Sequence, residues 1–205
     1  MVIKGVNFNN KWTVFISKLQ KNSRFEAWDI CNGEFGKVIK GKNAPNKDNL
    51  ALHLYAFLAS YGMVCRGGLL LQHNYRYLIP VVDVLIDKKY APLYNIDIFS
   101  SSFNSSDYIN LVLELKKDLT TALGFNNVTT TLISKIMLGA LGCVVGYDSH
   151  VENTLRSSCN CTVGLSAKGL SDLLALANLY KSDIINAKNS YPAYSDMRIL
   201  DSVLW

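Results

Sequence analysis

The sequence contains no hydrophobic run long enough to cross a membrane. The strongest candidate, LISKIMLGALGCVV (132–145), is too short for a bilayer span and contains Lys135. The first residues, MVIKGVNFNNKW, lack the apolar core segment and the small-residue cleavage site of a signal peptide. We therefore expect no membrane partner and no secretion.

Cysteines are few and unevenly spread. The five thiols are odd in number, which disfavours a disulfide framework and is typical of reduced cysteines in a cytoplasm. Cys159 and Cys161 are closely spaced and could begin a zinc site together with His150. No second closely spaced pair completes such a site, so we expect a cytoplasmic protein that binds no metal.

Charged residues make up only 18% of the 205 residues, and hydrophobic residues make up 49%. This composition is typical of a compact globular chain, and we expect one monomeric helical domain over residues 1–205. The formal net charge is +5 and the pI is about 8.9. This mild cationic bias is compatible with nucleic acid, an anionic ligand or an acidic partner.

Strand signals are scarce, with weak candidates only at 2–8 and 35–39. YLIPVVDVLI (77–86) is ambiguous, since its β-branched run suits a strand whereas Pro80 suits the first turn of a helix. Elsewhere apolar residues recur at the three- and four-residue spacing of amphipathic helices. The sequence therefore predicts an all-α, multi-helix domain, with helices near 46–61, 107–123, 128–142, 149–156, 170–188 and 195–205.

Two of these helices flank the turn GFNN (124–127), and GYDSHV (146–151) follows the second one. Gly and Asn tolerate the left-handed conformations of a tight helical hairpin, and the free amides that begin the next helix can bind a phosphate. A helix of about fourteen residues spans about 21 Å, so we expect Asp148 at its far end. The candidate DNA-backbone contacts of this hairpin are Gly124, Asn126, Asn127, Thr129 and Thr130.

The order of helix, hairpin, helix and aspartate resembles the helix-hairpin-helix DNA glycosylases, the superfamily of endonuclease III and 8-oxoguanine glycosylase. YDSHV (147–151) resembles the context of the catalytic aspartate in that family, and LGCVVGYDSHV (141–151) resembles the approach to it. The resemblance covers residues 108–156. The hairpin differs from the family pattern, since it reads Gly-Phe-Asn-Asn in place of the usual Gly-x-Gly form.

The resemblance implies cleavage of the bond between a base and its deoxyribose. Asp148 would stabilise an oxocarbenium-like transition state or activate water. Bifunctional members carry a lysine at the start of the helix after the hairpin, but VTTT (128–131) has none, and Lys135 lies at least one turn further on. The closely spaced cysteines of the iron–sulfur cluster in some relatives are absent. The resemblance thus implies a monofunctional enzyme without cofactors.

The substrate implied by the resemblance is double-stranded DNA from which a modified or damaged base is flipped. The base could be oxidised, alkylated or deaminated. It could also carry a bulky phage modification, such as glucosylated hydroxymethylcytosine, in which case the enzyme would serve phage defence. The sequence alone leaves these alternatives open.

Other segments could also contact the substrate. The lysines of KVIKGKNAPNK (37–47) suit phosphate contacts, with a solvated loop as the alternative. QHNYRY (72–77) could read a flipped base by hydrogen bonds and stacking, with a solvated turn as the alternative. The candidates are Lys40, Lys42, Arg66 and Lys135 for the DNA backbone, and Gln72, His73, Tyr75 and His150 for the base.

A purely structural interpretation of Asp148 is also open. Ser149 and Glu152 can form a capping box with Ser149 as the N-cap, in which case Asp148 only favours the helix N-terminus electrostatically. If this interpretation is correct, two functions without catalytic activity are open. They are a helical binding module that sequesters a nucleotide signal or a partner protein, and a protein that binds nucleic acid through the hairpin.

Overall fold

The all-α prediction is confirmed. The computed structural model describes residues 2–19, 22–124 and 128–205, and no strand occurs within these ranges. Short helical turns at Arg24–Glu26, Leu69–Gln72, Tyr75–Leu78, Lys88–Leu93 and Thr154–Ser158 supplement the longer elements. Those elements are α1 (Phe8–Lys18), α2 (Ala27–Ile39), α3 (Lys47–Ser60), α4 (Ile79–Leu85), α5 (Ser105–Ala122), α6 (Thr130–Leu141), α7 (Ser149–Asn153), α8 (Ala167–Leu179), α9 (Lys181–Ser190) and α10 (Asp196–Leu204).

Most of the longer helices begin at a side chain that accepts a hydrogen bond from the first turn. Asn46 accepts from Asn49 N at the start of α3, and Thr129 accepts from Leu132 N at the start of α6. Such caps satisfy amides that have no partner inside the helix. The capping residues in the described ranges explain why helix starts were predictable from Asn, Ser and Thr positions.

Helix α6 is the centre of the fold. Every residue from Leu132 to Leu141 is buried, which matches the nearly uniform apolar character of this segment. Two side chains of α2 fasten α6 from one side, since Trp28 Nε1 donates to Leu138 O and Asn32 Nδ2 donates to Ala140 O. The buried side chains of the described residues form one connected core that extends from Phe8 to Leu204.

Two local predictions are wrong, and one segment that was ambiguous between strand and helix is a helix. The candidate strand at 35–39 lies inside α2, and the ambiguous segment 77–86 contains α4 with Pro80 in its first turn. The single helix predicted over 170–188 is wrong, because the chain breaks at Tyr180 between α8 and α9. The Tyr180 hydroxyl donates to Val6 O, so a contact distant in sequence fixes the junction.

No helix formed by residues 2–19, 22–124 or 128–205 is both long enough and apolar enough to span a bilayer.

Two glycines inside helices should respond oppositely to alanine. A Cβ on Gly139 in α6 would overlap the Phe57 ring, whereas a Cβ on Gly33 in α2 would meet nothing within 4 Å. We expect Gly139→Ala to lower the free energy of unfolding by about 1–3 kcal/mol through overpacking. Gly33→Ala should raise it by about 0.5–1 kcal/mol. Urea unfolding of both variants tests this, and shifts of the same sign would contradict the packing of α3 on α6.

Candidate functional site

The chain reverses direction directly after α6. Gly142 adopts the left-handed conformation (φ 63°, ψ 24°) that ends the helix, and residues 143–147 then run back along α6. Tyr147 N donates to Ser134 Oγ on that helix, and Gly146 N donates to Asp201 Oδ1 on α10. These bonds hold the returning segment in place.

This reversal corrects the predicted position of Asp148. We expected it about 21 Å from the start of the helix, but it pairs with Lys135, whose Cα lies only about 8 Å along the axis from Thr130. The aspartate is therefore much nearer to the start of α6 than the helix length alone suggested. The glycine signalled the end of the helix, but no local pattern signalled the direction that follows.

Asp148 is the N-cap of α7. Its Oδ1 accepts hydrogen bonds from His150 N and Val151 N, both at 3.1 Å. The predicted capping box with Ser149 as the N-cap is therefore wrong by one residue. The idea behind it, that this segment begins a helix, holds.

The other oxygen of Asp148 forms an ion pair with Lys135. The distance from Lys135 Nζ to Asp148 Oδ2 is 2.7 Å, and the side chains are 3% and 18% exposed. Lys135 Nζ also lies 4.8 Å from the centre of the Tyr61 ring. Lys135 was a candidate for contact with the DNA backbone, but its burial keeps it off that surface.

A second buried ion pair, between Arg198 and Asp201, lies close to the pair of Lys135 and Asp148. Arg198 donates to Asp201 Oδ2 at 3.1 Å and to the Tyr61 hydroxyl at 3.2 Å. Burial raises the pKa of Asp201, although the charges of Arg198 and Lys135 and the Gly146 amide favour its ionised form. This pair was not predicted, because its only signal in the sequence is an arginine and an aspartate three residues apart in a helix.

The surface next to Asp148 combines aromatic and cationic side chains. The exposed His150 ring lies 5.8 Å from the Trp205 ring. Trp205 is partly buried against the core. Lys18 Nζ and the Arg24 guanidinium lie 5.0 and 5.3 Å from its ring centre. We call His150, Trp205, Lys18 and Arg24 the Trp205 cluster.

The predicted hairpin contacts are only partly described. Gly124 has a positive φ of 68°, as expected at the end of a helix, whereas Asn126 and Asn127 lie outside the described residues. Thr129 is exposed and caps α6, and Thr130 is its first residue. The turn between α5 and α6 lies outside the described residues, so the hairpin stays a prediction.

The predicted base-reading segment is not brought to Asp148. The Tyr75 hydroxyl donates to Asp48 at the start of α3, whereas Tyr61, which covers Lys135, follows the other end of that helix. These ends are about 20 Å apart along the axis. Gln72 is exposed, and His73 stacks on Tyr77 with ring centres 4.1 Å apart. Of the base candidates, His150 follows the aspartate by two residues, whereas Tyr75 lies at the opposite end of α3.

The remaining basic candidates are solvent-exposed. Lys42 and Arg66 lie in turns after α2 and α3. Lys40 follows α2, and its Nζ lies 5.1 Å from the Tyr94 ring.

The cysteines do not gather into a cluster with other ligands. Within the described ranges, no group of three or more His, Cys, Asp or Glu side chains is arranged to hold a metal ion. Burial raises the pKa of Cys161 to about 11, and its Sγ contacts Cys159 O at 3.7 Å. The two thiols are therefore packed as small apolar groups.

Comparison with protein-family models, with curated proteins and with solved structures found no match to this chain. The assignment of a function therefore depends on the residues themselves. The arrangement that can perform chemistry is a fixed carboxylate with three donors. A carboxylate has roughly four acceptor positions, so one remains for a water molecule or a substrate.

Proposed function

We propose that the protein is a monofunctional DNA glycosylase of the helix-hairpin-helix kind that acts in the cytoplasm. It would flip a modified or damaged base from double-stranded DNA, hydrolyse the N-glycosidic bond and leave an abasic site. The single observation that carries the proposal is the Asp148 carboxylate, which is held by Lys135 and two amides while remaining partly exposed.

The contacts of Asp148 suit a catalytic carboxylate. Glycosidic cleavage develops positive charge on the sugar, and a fixed negative group close to that charge lowers the barrier. The ammonium of Lys135 and the amides of α7 orient both oxygens, so little reorganisation is needed during the reaction. The acceptor position that remains can bind and activate the attacking water.

The Trp205 cluster supports a nucleic-acid partner. Lys18 and Arg24 can contact phosphates, and Trp205 and His150 offer aromatic surfaces on which an extruded base can stack. Because His150 follows Asp148 by two residues, such a base would stack beside the carboxylate. DNA would then approach over α1 and α10 in addition to the start of α6.

The proposal predicts that the enzyme forms no covalent intermediate with the sugar. Lys135 is buried, and an ammonium paired with Asp148 has no free electron pair for attack on the sugar. Treatment with sodium borohydride should therefore trap no adduct between the wild-type protein and DNA that contains an abasic site. Any trapped adduct would contradict the monofunctional assignment, and its loss in Lys135→Gln would identify Lys135 as the nucleophile.

The activity itself is tested on duplex DNAs that each carry one modified base. The panel includes oxidised, alkylated and deaminated bases and glucosylated hydroxymethylcytosine, with unmodified DNA as the control. We expect strand cleavage in a duplex that carries one of the modified bases. This cleavage should occur at the modified position and should require treatment with alkali. Binding to the DNAs without alkali-sensitive sites in any of them would count against the enzyme.

One observation favours a second candidate, a non-enzymatic binding module. The three bonds of Asp148 all go to the protein itself, and Asp148 is absent from the walls of five cavities formed by the described residues. A carboxylate used in this way can serve as a cap and ion-pair partner alone. The Asp148 variants discussed below separate the two candidates.

A further inference from the structure

Two cavities adjoin at Asp29, on α2. Each has a volume of about 360 Å3, within the range of small-molecule sites. Asp29, Pro192, Ala193 and Tyr194 line both of them. The first cavity extends along Leu19 and Tyr191, and the second extends beneath Tyr94, Lys40 and Lys188. We call them the tyrosine cavity and the lysine cavity.

Asp29 has acceptor positions that the protein leaves open. Its side chain is half-buried and accepts one hydrogen bond from another described residue, a long one of 3.4 Å from the Tyr194 hydroxyl. Among the described residues, no Lys, Arg or His nitrogen lies within the 4.0 Å of an ion pair with it. Burial accordingly raises the pKa of Asp29, although the more distant charge of Arg198 opposes the shift.

The neutral polar groups of the lysine cavity bond to one another. Asn32 Oδ1 accepts from the Tyr94 hydroxyl and from Asn95 Nδ2, and Asn32 Nδ2 donates to Ala140 O. Asn95 Oδ1 has no donor among the described residues and lies against Gly142. The side-chain donors of Asn32, Asn95 and Tyr94 are therefore already used, and the Asp29 carboxylate is the acceptor that remains open to a ligand.

Lys40 supplies a free positive charge at the other end. Within the described ranges it has no carboxylate partner, whereas Lys188 is paired with Asp196 at 2.8 Å. Glu26 adds a second carboxylate to the tyrosine cavity. The two cavities therefore have a negative pole at Asp29 and a positive pole at Lys40, which suits a ligand with a donor-rich edge and an anionic group.

We propose that the two cavities bind a guanine mononucleotide. Guanine would lie against Pro192 and Tyr194, which line both cavities, with its N1–H and N2–H groups donating to the Asp29 carboxylate. Its phosphate would reach Lys40 in the lysine cavity. Adenine presents an acceptor nitrogen at the equivalent edge, so its approach to the carboxylate would be repulsive. This site goes beyond the proposed DNA chemistry, since Asp29 has no contact with the pair of Lys135 and Asp148.

Titration calorimetry with guanosine monophosphate tests the proposal. We expect one saturable site in the wild-type protein and about 10- to 100-fold weaker binding of adenosine monophosphate, the factor for hydrogen bonds to a charged group. Asp29→Asn keeps the shape but removes the charge, so it should lose the preference for guanine. Lys40→Ala should weaken binding of the nucleotide but not of guanosine. The matched controls, Asp83→Asn and Lys42→Ala, should bind as the wild type does.

Three results would overturn the proposal. These are no saturable binding, equal affinity for the two nucleotides, and binding of inorganic phosphate with the same affinity as the guanine nucleotide. If Asp29→Asn fails to fold, the wild-type nucleotide ratio and Lys40→Ala still decide the question. The site is separable from the glycosylase, because Asp148→Asn should bind the nucleotide normally and Asp29→Asn should release bases normally.

Discussion

Replacement of Asp148 by asparagine is expected to lower the rate of base release by about 10²- to 10³-fold, the loss typical of removing one electrostatic stabiliser of a transition state. The asparagine oxygen can still accept from His150 N and Val151 N, so the start of α7 is kept. What disappears is the negative charge beside the sugar and the ability to activate water. Single-turnover release from the substrate identified in the panel measures the effect.

Stability must be separated from catalysis in this variant. Asp148→Asn leaves the buried Lys135 without its partner, so some loss of stability is expected as well. The double variant Lys135→Met/Asp148→Asn removes both charges and should recover stability. Base release should remain low in the double variant. Recovery of release together with stability would show that Asp148 has a structural role only.

Replacement of Arg198 by methionine is expected to lower the free energy of unfolding by about 3–5 kcal/mol, the cost of breaking a buried ion pair by removing one partner. Arg198 is fully buried, and it packs against the rings of Phe15, Trp28 and Tyr194. Its loss leaves the buried Asp201 carboxylate without its ion-pair partner. Urea unfolding followed by circular dichroism gives the value.

Two further variants control this result. Arg198→Met/Asp201→Asn removes both charges, and asparagine can still accept from Gly146 N, so stability should be largely regained. Arg156→Met changes an exposed arginine and should alter stability by less than about 0.5 kcal/mol. A loss for Arg198→Met as small as that of Arg156→Met would contradict the buried network.

The helices and the central place of α6 were predictable because local chemistry determines them. Apolar periodicity marks a buried face, and Asn, Thr and Gly mark the ends, as they do at Asn46, Thr129 and Gly142. The break at Tyr180 was not predictable, since the apolar stripe continues through it and the contact that fixes it is with Val6.

The site was predictable only in part. Asp148 and the helix that it starts follow from the segment GYDSHV, but its contact with Lys135 depends on the reversal after Gly142. That reversal is held by Asp201, far along the chain, so no local pattern contains it. Lys18 and Trp205 likewise meet because α1 packs against α10, and Arg24 reaches Trp205 from the short helical turn after α1, so sequence distance conceals the cluster.

The most direct test of Asp148 as the catalytic carboxylate is detection of the released base by mass spectrometry. Wild-type protein and Asp148→Asn are incubated with the same duplex that carries the modified base, and DNA binding is measured in parallel. We predict free base from the wild-type protein and at least about 10²-fold less free base from the variant. The two proteins should bind the DNA with similar affinity. Equal release by both proteins, or no release by the wild-type protein on any duplex that it binds, would contradict this role.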